Sequence, residues 1–412
     1  MRIVFFTGKG GVGKTTTAAA TALRSADRGV KTLIVSTDAA HSLADALGME
    51  LGNEPVVVSE SLSAVQIDAQ ARFESSWTDV QRYLLSVLAA GGVDPITADE
   101  LTVLPGIEEV LSLLAVRELV ERDKWDAIVV DCAPTAETLR LLALPDALAW
   151  YLERVLPIQR RLTRGVRPVA ALLGARRALP PDGLFDALLL LADEVESVRA
   201  LLADPTVSTV RLVLTPETVV VAEARRTFTA LALYGYQVDG IVANRVIEAG
   251  DGDPWRAGWA AAHQRSLTEI RTTFSGIDVR EATYRTEEPI GVAALREIGD
   301  DLYADLGPDD PLAPVHSSLP IRVHADDGEY VLTVPLPLAD PSTVEAVRSG
   351  DELVLTVAGH RRVLALPSGL RRCLVVSGSY EGGAVEVRFR PDPALWPTPP
   401  RAPGLDDGDG AR

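Results

Sequence analysis

Apolar positions near the start of the chain come in short continuous runs. Residues 3–6, 31–37 and 125–131 each read as strands buried on both faces. Between the first two, residues 16–27 carry helical spacing. Strand, helix and strand in that order predict a parallel sheet covered by helices. The alternation resumes late, with 211–215 as strand, 221–234 as helix and 240–244 as strand. Between these blocks, residues 71–91, 107–122 and most of 148–203 have helix-like spacing, the last broken by Pro157, Pro168 and Pro180-Pro181. An α/β core interrupted by helical material follows.

From residue 319 the period changes to two. Residues 330–335, 352–357, 362–366 and 384–389 alternate, with glycine-rich turns between them, which predicts an all-β unit over 319–393. A Pro/Asp-rich stretch near 307–314 reads as a connection, and the Pro- and Asp-rich residues from 397 read as disordered. The expected organisation is 1–303 for the α/β domain, with helical material at about 71–122 and 148–203, then a linker at 304–317, a β-sandwich at 318–393 and a tail at 394–412.

The first strand runs into Gly8-Lys9-Gly10-Gly11-Val12-Gly13-Lys14-Thr15, the G-x-x-x-x-G-K-T phosphate loop in its strand–loop–helix context. The glycines let backbone N–H groups approach phosphate oxygens, and the following helix aims its positive end at them. Lys14 suits the β and γ oxygens, the Thr15 hydroxyl suits Mg2+, and Thr16 is the next donor. The ligand class is a nucleoside triphosphate with magnesium. Asp38 and Asp131 each follow a buried strand, and the carboxyl ends of such strands face the ligand crevice. An acid there needs a cation or water, unless it caps a helix or forms a turn. Asn244 reads either as a turn residue or as a ligand contact. The chain's only lysines are Lys9, Lys14, Lys31 and Lys124. Two of them within one loop indicate a demand for compact ammonium groups.

Several motifs together carry a family resemblance. They are Lys9 to Thr15, Asp38-Ala39-Ala40-His41-Ser42-Leu43, Leu104-Pro105-Gly106-Ile107-Glu108-Glu109, Asp131-Cys132-Ala133-Pro134-Thr135, and Glu137 through Pro145. Over most of residues 1–300 the chain resembles the ArsA family, the arsenite-pump ATPases and the ATPases that target tail-anchored membrane proteins. The resemblance implies a P-loop NTPase fold with a deviant Walker A motif, ATP and Mg2+ as ligands, and a homodimer in which Lys9 reaches nucleotide across the interface. It implies that Asp38 polarises the attacking water and that Asp131 holds Mg2+ through water while Thr15 ligates it directly. It also implies that Asn244 reads adenine, beside a pocket loop of Glu288-Pro289-Ile290-Gly291. The helical material would offer apolar protein clients a surface. The expected activity is ATP hydrolysis coupled to binding or targeting a hydrophobic client, with a slow nucleotide-gated switch as the alternative. Ala39 stands where the family has Pro, and Ala136-Glu137 where it has Gly-His. Leu366-Pro367 and Gly383 through Phe389 resemble an α-crystallin (small heat-shock) domain, without the C-terminal I-x-I motif.

Composition narrows these readings. A net charge of −18 argues against general affinity for nucleic acid or acidic lipid. No apolar run is long enough to span a bilayer, so no stable membrane insertion and a cytoplasmic location are expected. A positioning ATPase of the MinD/ParA type would need a membrane helix or a basic DNA surface, and neither is visible. Cys132 and Cys373 are the only cysteines, so neither a C-x-x-C zinc bridge nor an iron–sulfur cluster is expected, and an arsenite site of clustered thiolates is disfavoured. Met1 and Met49 are the only methionines, which excludes a Met-rich client groove and leaves a Leu-lined one or ordinary core packing. Seven arginines over residues 154–177 suit a solvated face or an acidic partner.

Overall fold

The computed structural model describes residues 1–38, 42–68, 107–132, 197–198, 200–250, 252–314 and 321–396, and the chain divides into two units, Met1–Leu319 and Pro320–Arg412. The first unit holds β1 (Arg2–Thr7), β2 (Thr32–Ser36), β3 (Val56–Ser59), β4 (Leu62–Gln66), β5 (Ala127–Asp131), β6 (Ser208–Leu214), β7 (Val238–Val246) and β8 (Asp278–Thr283). They form one sheet in the order β3-β4-β2-β5-β1-β6-β7-β8. Every pairing is parallel except β3 with β4. All residues of β1, β2, β5 and β6 are buried, which is why the centres of β1, β2 and β5 are continuous apolar runs rather than alternations. The expected mostly parallel α/β fold is present.

Helices α1 (Lys14–Ala26), α2 (Ser42–Leu47), α3 (Ile107–Glu121), α4 (Thr218–Tyr234), α5 (Pro254–Thr273) and α6 (Val292–Leu302) accompany the sheet. The helix α3 lies within the expected helical insertion. Residues 71–106 and 148–196 of that insertion, with its arginine-rich stretch, fall outside the described residues. So do Ala39 to His41, the switch residues 133–145 and the tail from 397. Among the described residues no helix is long and apolar enough to cross a membrane.

The helix that follows the phosphate loop is clamped from behind by α6. A Cβ on Gly299 would stand 2.6 Å from the carbonyl oxygen of Ala20, so the two backbones meet with no room for a side chain. Around that contact, Thr21 and Tyr303 share a 2.7 Å hydroxyl hydrogen bond, and Arg24 and Arg296 pair with Asp300 and Asp27. Gly299→Ala is therefore expected to destabilise the protein by about 1–3 kcal/mol through overpacking. Helix propensity alone favours alanine by about 1 kcal/mol, so the sign of the change measured by urea unfolding isolates the packing.

Beneath the sheet's centre, Arg211 donates to Asp239 at 3.0 and 3.2 Å, to Tyr303 at 2.9 Å and to the Pro311 carbonyl at 3.1 Å. Burial opposes the Arg211 charge, but Asp239 and Tyr303 outweigh it and push the pKa up. Arg2 also reaches Asp239, and burial there lowers the Arg2 pKa. Part of the expected linker joins this network. Leu312 is buried and Asp310 accepts from Ser25, so residues up to 314 are anchored to the first unit. The boundary between the two units falls at residue 319.

The second unit is all-β. β9 (Arg322–Asp326), β10 (Glu329–Pro335), β14 (Cys373–Glu381) and β15 (Ala384–Pro391) make a sheet in the order β14-β15-β10-β9. β11 (Val344–Ser349), β12 (Glu352–Val357) and β13 (His360–Ala365) make a second, and α7 (Ser368–Arg371) follows it. Alternate residues of β12 and β15 are buried, among them Leu353, Leu355, Val385, Val387 and Phe389. Arg348 of β11 donates to the backbone of Arg371 and Cys373, tying the two sheets together.

Candidate functional site

Register levels the carboxyl ends of the central strands. Phe6 of β1 and Ser36 of β2 both pair with Asp131 of β5. The phosphate loop, Asp38 and Asp131 therefore emerge at one edge, where the chain leaves β1 and neighbouring connections diverge. A cleft of about 640 Å3 opens there. Its lining includes Gly10, Gly11, Gly13, Lys14, Thr15 and Thr16 of the loop, Asp38, and Asn244, Arg245, Tyr284, Arg285, Pro289 and Ile290.

The loop is built to leave donors open. Gly13 caps α1 in the left-handed region, with φ 92°, and no side chain caps the helix. The first N–H groups of α1 are thus free for an anion, and no acidic residue in the first turn competes. A Cβ at Gly13 would meet Asn244 Nδ2 at 2.2 Å. That side chain supports the loop from below, donating to the Val12 carbonyl at 2.8 Å. Asn244 is not a turn residue. It lies buried inside β7, so the turn reading is corrected, and a pocket-facing position stands.

Asp131 is fully buried, and neither carboxylate oxygen has a hydrogen-bond partner of normal geometry. Burial pushes its pKa up to about 7, against the Thr15 hydroxyl and Lys14, while Asp38 adds to the rise. A carboxylate kept this way beside Thr15 is what an oxygen-seeking cation requires, so the residues fit Mg2+: Thr15 would hold it directly, and Asp131 and Asp38 through water. Asp38 lines the cleft with its backbone fixed at both ends. Its N–H donates to Ser36 Oγ at 3.3 Å, and Gln66 Nε2 donates to its carbonyl at 3.1 Å.

Lys9 behaves differently from the rest of the loop. It is absent from the cleft's lining, its side chain is 42% exposed, and Nζ stands 3.9 Å from Glu223 Oε2 on α4. Gly8 and Val12, also expected at the ligand, form the loop's buried floor. Sequence reasoning missed Arg245, Tyr284, Arg285, Ser42 and Asp45 in the cleft. Of these, Arg245 carried a signal in its place beside Asn244, and Ser42 in its place within the Asp38-to-Leu43 motif.

Comparison with known proteins gives these features a family. Residues 1–304 match the family described as anion-transporting ATPase, and residues 327–389 match the HSP20-like domain found in ArsA. A Chlorobaculum tepidum protein, provisionally named an arsenical pump-driving ATPase, is 36% identical over 90% of this chain and 91% of its own length. A Mycobacterium tuberculosis protein, Rv2184c, is 37% identical over 96% and 98%. The ATPase get3 of Aspergillus terreus is 30% identical over 73% and 90%. The chain belongs to the ArsA family of P-loop ATPases. It is a nucleotide-binding ATPase that carries an HSP20-like domain at its C-terminal side.

Proposed function

We propose that this ATPase works in the cytoplasm as a homodimer and couples ATP hydrolysis to binding or targeting a hydrophobic protein client. The observation that carries the dimer is Lys9, which lies outside the cleft of its own chain and, among the described residues, is held only by a partly exposed ion pair. Such a pair is worth little, under about 1 kcal/mol, so a triphosphate on a second copy can draw the ammonium across. Lys9 and Lys14 then share the charge that develops on the transferring phosphate, while Asp38 orients the water. Asn244, Pro289 and Ile290 receive the adenine. Magnesium, when bound, neutralises phosphate charge.

The client reading rests on the family resemblance and on the helical insertion expected between β4 and β5. A pump reading is favoured by the name of the Chlorobaculum relative. Against it, Cys132 and Cys373 are both buried, and they belong to different units. Turnover measured with apolar helical peptides and with arsenite separates the two. Several-fold stimulation by peptide and none by arsenite is expected, and the reverse would establish the pump. Light scattering with a non-hydrolysable ATP analogue and Mg2+ should show a doubling of mass. A protein that stays single-copy under those conditions would end the dimer proposal.

A further inference from the structure

Arg245 is, among the described residues, the one non-glycine residue inside a strand with left-handed backbone, at φ 57°. The others with positive φ, Asp123, Asp327, Leu338 and Ala358, lie outside strands. The cause is a bulge. Ala243 pairs with Glu281 and Val246 with Thr283, so Asn244 and Arg245 together face the single residue Ala282. Bulges are uncommon in parallel pairs, and the left-handed position of a bulge favours glycine. An arginine held there is a strained residue at a functional cleft, an arrangement that persists when the direction of the side chain matters.

That direction is into the cleft, which Arg245 lines as an exposed residue. Among the described residues its guanidinium has no hydrogen-bond or ion-pair partner, whereas the cleft's other arginine, Arg285, is tied to Asp301. Glu287 and Glu288 line the same cleft without pairing to it. On its wall stand Tyr284 and Ile290, 58% and 54% exposed, flat apolar surface with nothing of the described chain laid over it. The phosphate-loop residues Gly10, Gly11, Gly13, Lys14, Thr15 and Thr16 line the same cleft. A planar, weakly hydrated cation beside uncovered aromatic and apolar surface matches the face of a heterocyclic base.

We propose that Arg245 is a positioning residue for the purine, its guanidinium stacking on the base face, and that the bulge of β7 exists to turn it there. This rests on the reading that the cleft binds ATP. Binding of ATP, ADP, AMP and inorganic tripolyphosphate to the full-length protein tests it by calorimetry. Arg245→Ala should weaken ATP, ADP and AMP by a similar factor, roughly 5–30-fold, and leave tripolyphosphate unchanged. Arg245→Lys keeps the charge but loses the plane, and should recover less than half of that loss on a logarithmic scale. Arg245→Gly relieves the backbone. Its melting temperature should match or exceed the wild type's while its nucleotide affinity falls as in the alanine variant, which no structural role explains. Weakened tripolyphosphate binding, or a loss graded from AMP to ATP, would assign Arg245 to phosphate and overturn the proposal, as would unchanged affinity for all nucleotides. Failure of the wild type itself to bind ATP or tripolyphosphate would overturn the nucleotide reading of the cleft and this inference with it.

Discussion

Asp38→Asn should lower ATP turnover by about two to four orders of magnitude while ATP affinity stays within several-fold of the wild type. Asparagine preserves the side chain's size, and the backbone hydrogen bonds of this residue with Ser36 and Gln66 do not depend on its charge. The loop's donors, Lys14 and the open end of α1, are untouched. What the substitution removes is the negative charge that draws a proton from attacking water. The variant should therefore bind and dimerise with ATP but fail to release phosphate, and the ATP-bound dimer should accumulate. Steady-state phosphate release and equilibrium nucleotide binding, measured together, check it. A matching fall in affinity would make Asp38 a binding residue, and normal turnover would remove it from the catalytic set.

The central half of the sheet was legible because burial on both faces leaves a continuous apolar run, as in β1, β2 and β5. The edges were not. Every residue of β9 is exposed, and Arg322-Val323-His324-Ala325-Asp326 carries little of the apolar run by which a buried strand is recognised. In β8, Asp278–Thr283 is mostly half-buried and polar, for the same reason. The site divides along a similar line. The phosphate loop and the two aspartates follow from spacing and from the rule that ligands meet the carboxyl ends of strands. Asn244 was legible as the end of an expected strand and as a candidate contact, but not as the side chain that holds the phosphate loop through the Val12 carbonyl. Of Arg245 only its place beside Asn244 was legible: nothing in an arginine announces a left-handed backbone, which depends on the pairing of β7 with β8 far along the chain. The loop 284–290, which leads into α6, lines the cleft, and α6 packs on α1 where Gly299 leaves no room for a side chain, a tertiary contact that local sequence does not announce.

Asp131→Asn should move stability and activity in opposite directions. In wild-type protein without nucleotide or Mg2+, the folded pKa of Asp131 is about 7 against an ordinary 3.8. The folded state therefore holds the proton more tightly than the unfolded chain. The stability contributed by this group is fully present below about pH 4 and is lost as pH rises through about 7. Above that, the carboxylate is charged in a buried site, and a rise from 3.8 to about 7 corresponds to a cost of roughly 4 kcal/mol. Asparagine cannot ionise, so the variant should match the wild type near pH 4 and exceed it by that amount near pH 8 in urea unfolding. Mg2+ with ATP should reverse the order, because the charge that destabilises the empty site is the one that favours the cation. Hydrolysis by the variant should fall at least a hundredfold, with the loss concentrated in its Mg2+ dependence. A variant less stable than the wild type at pH 8 without Mg2+ would mean that Asp131 is internally paired. Its open oxygens would then no longer argue for a metal.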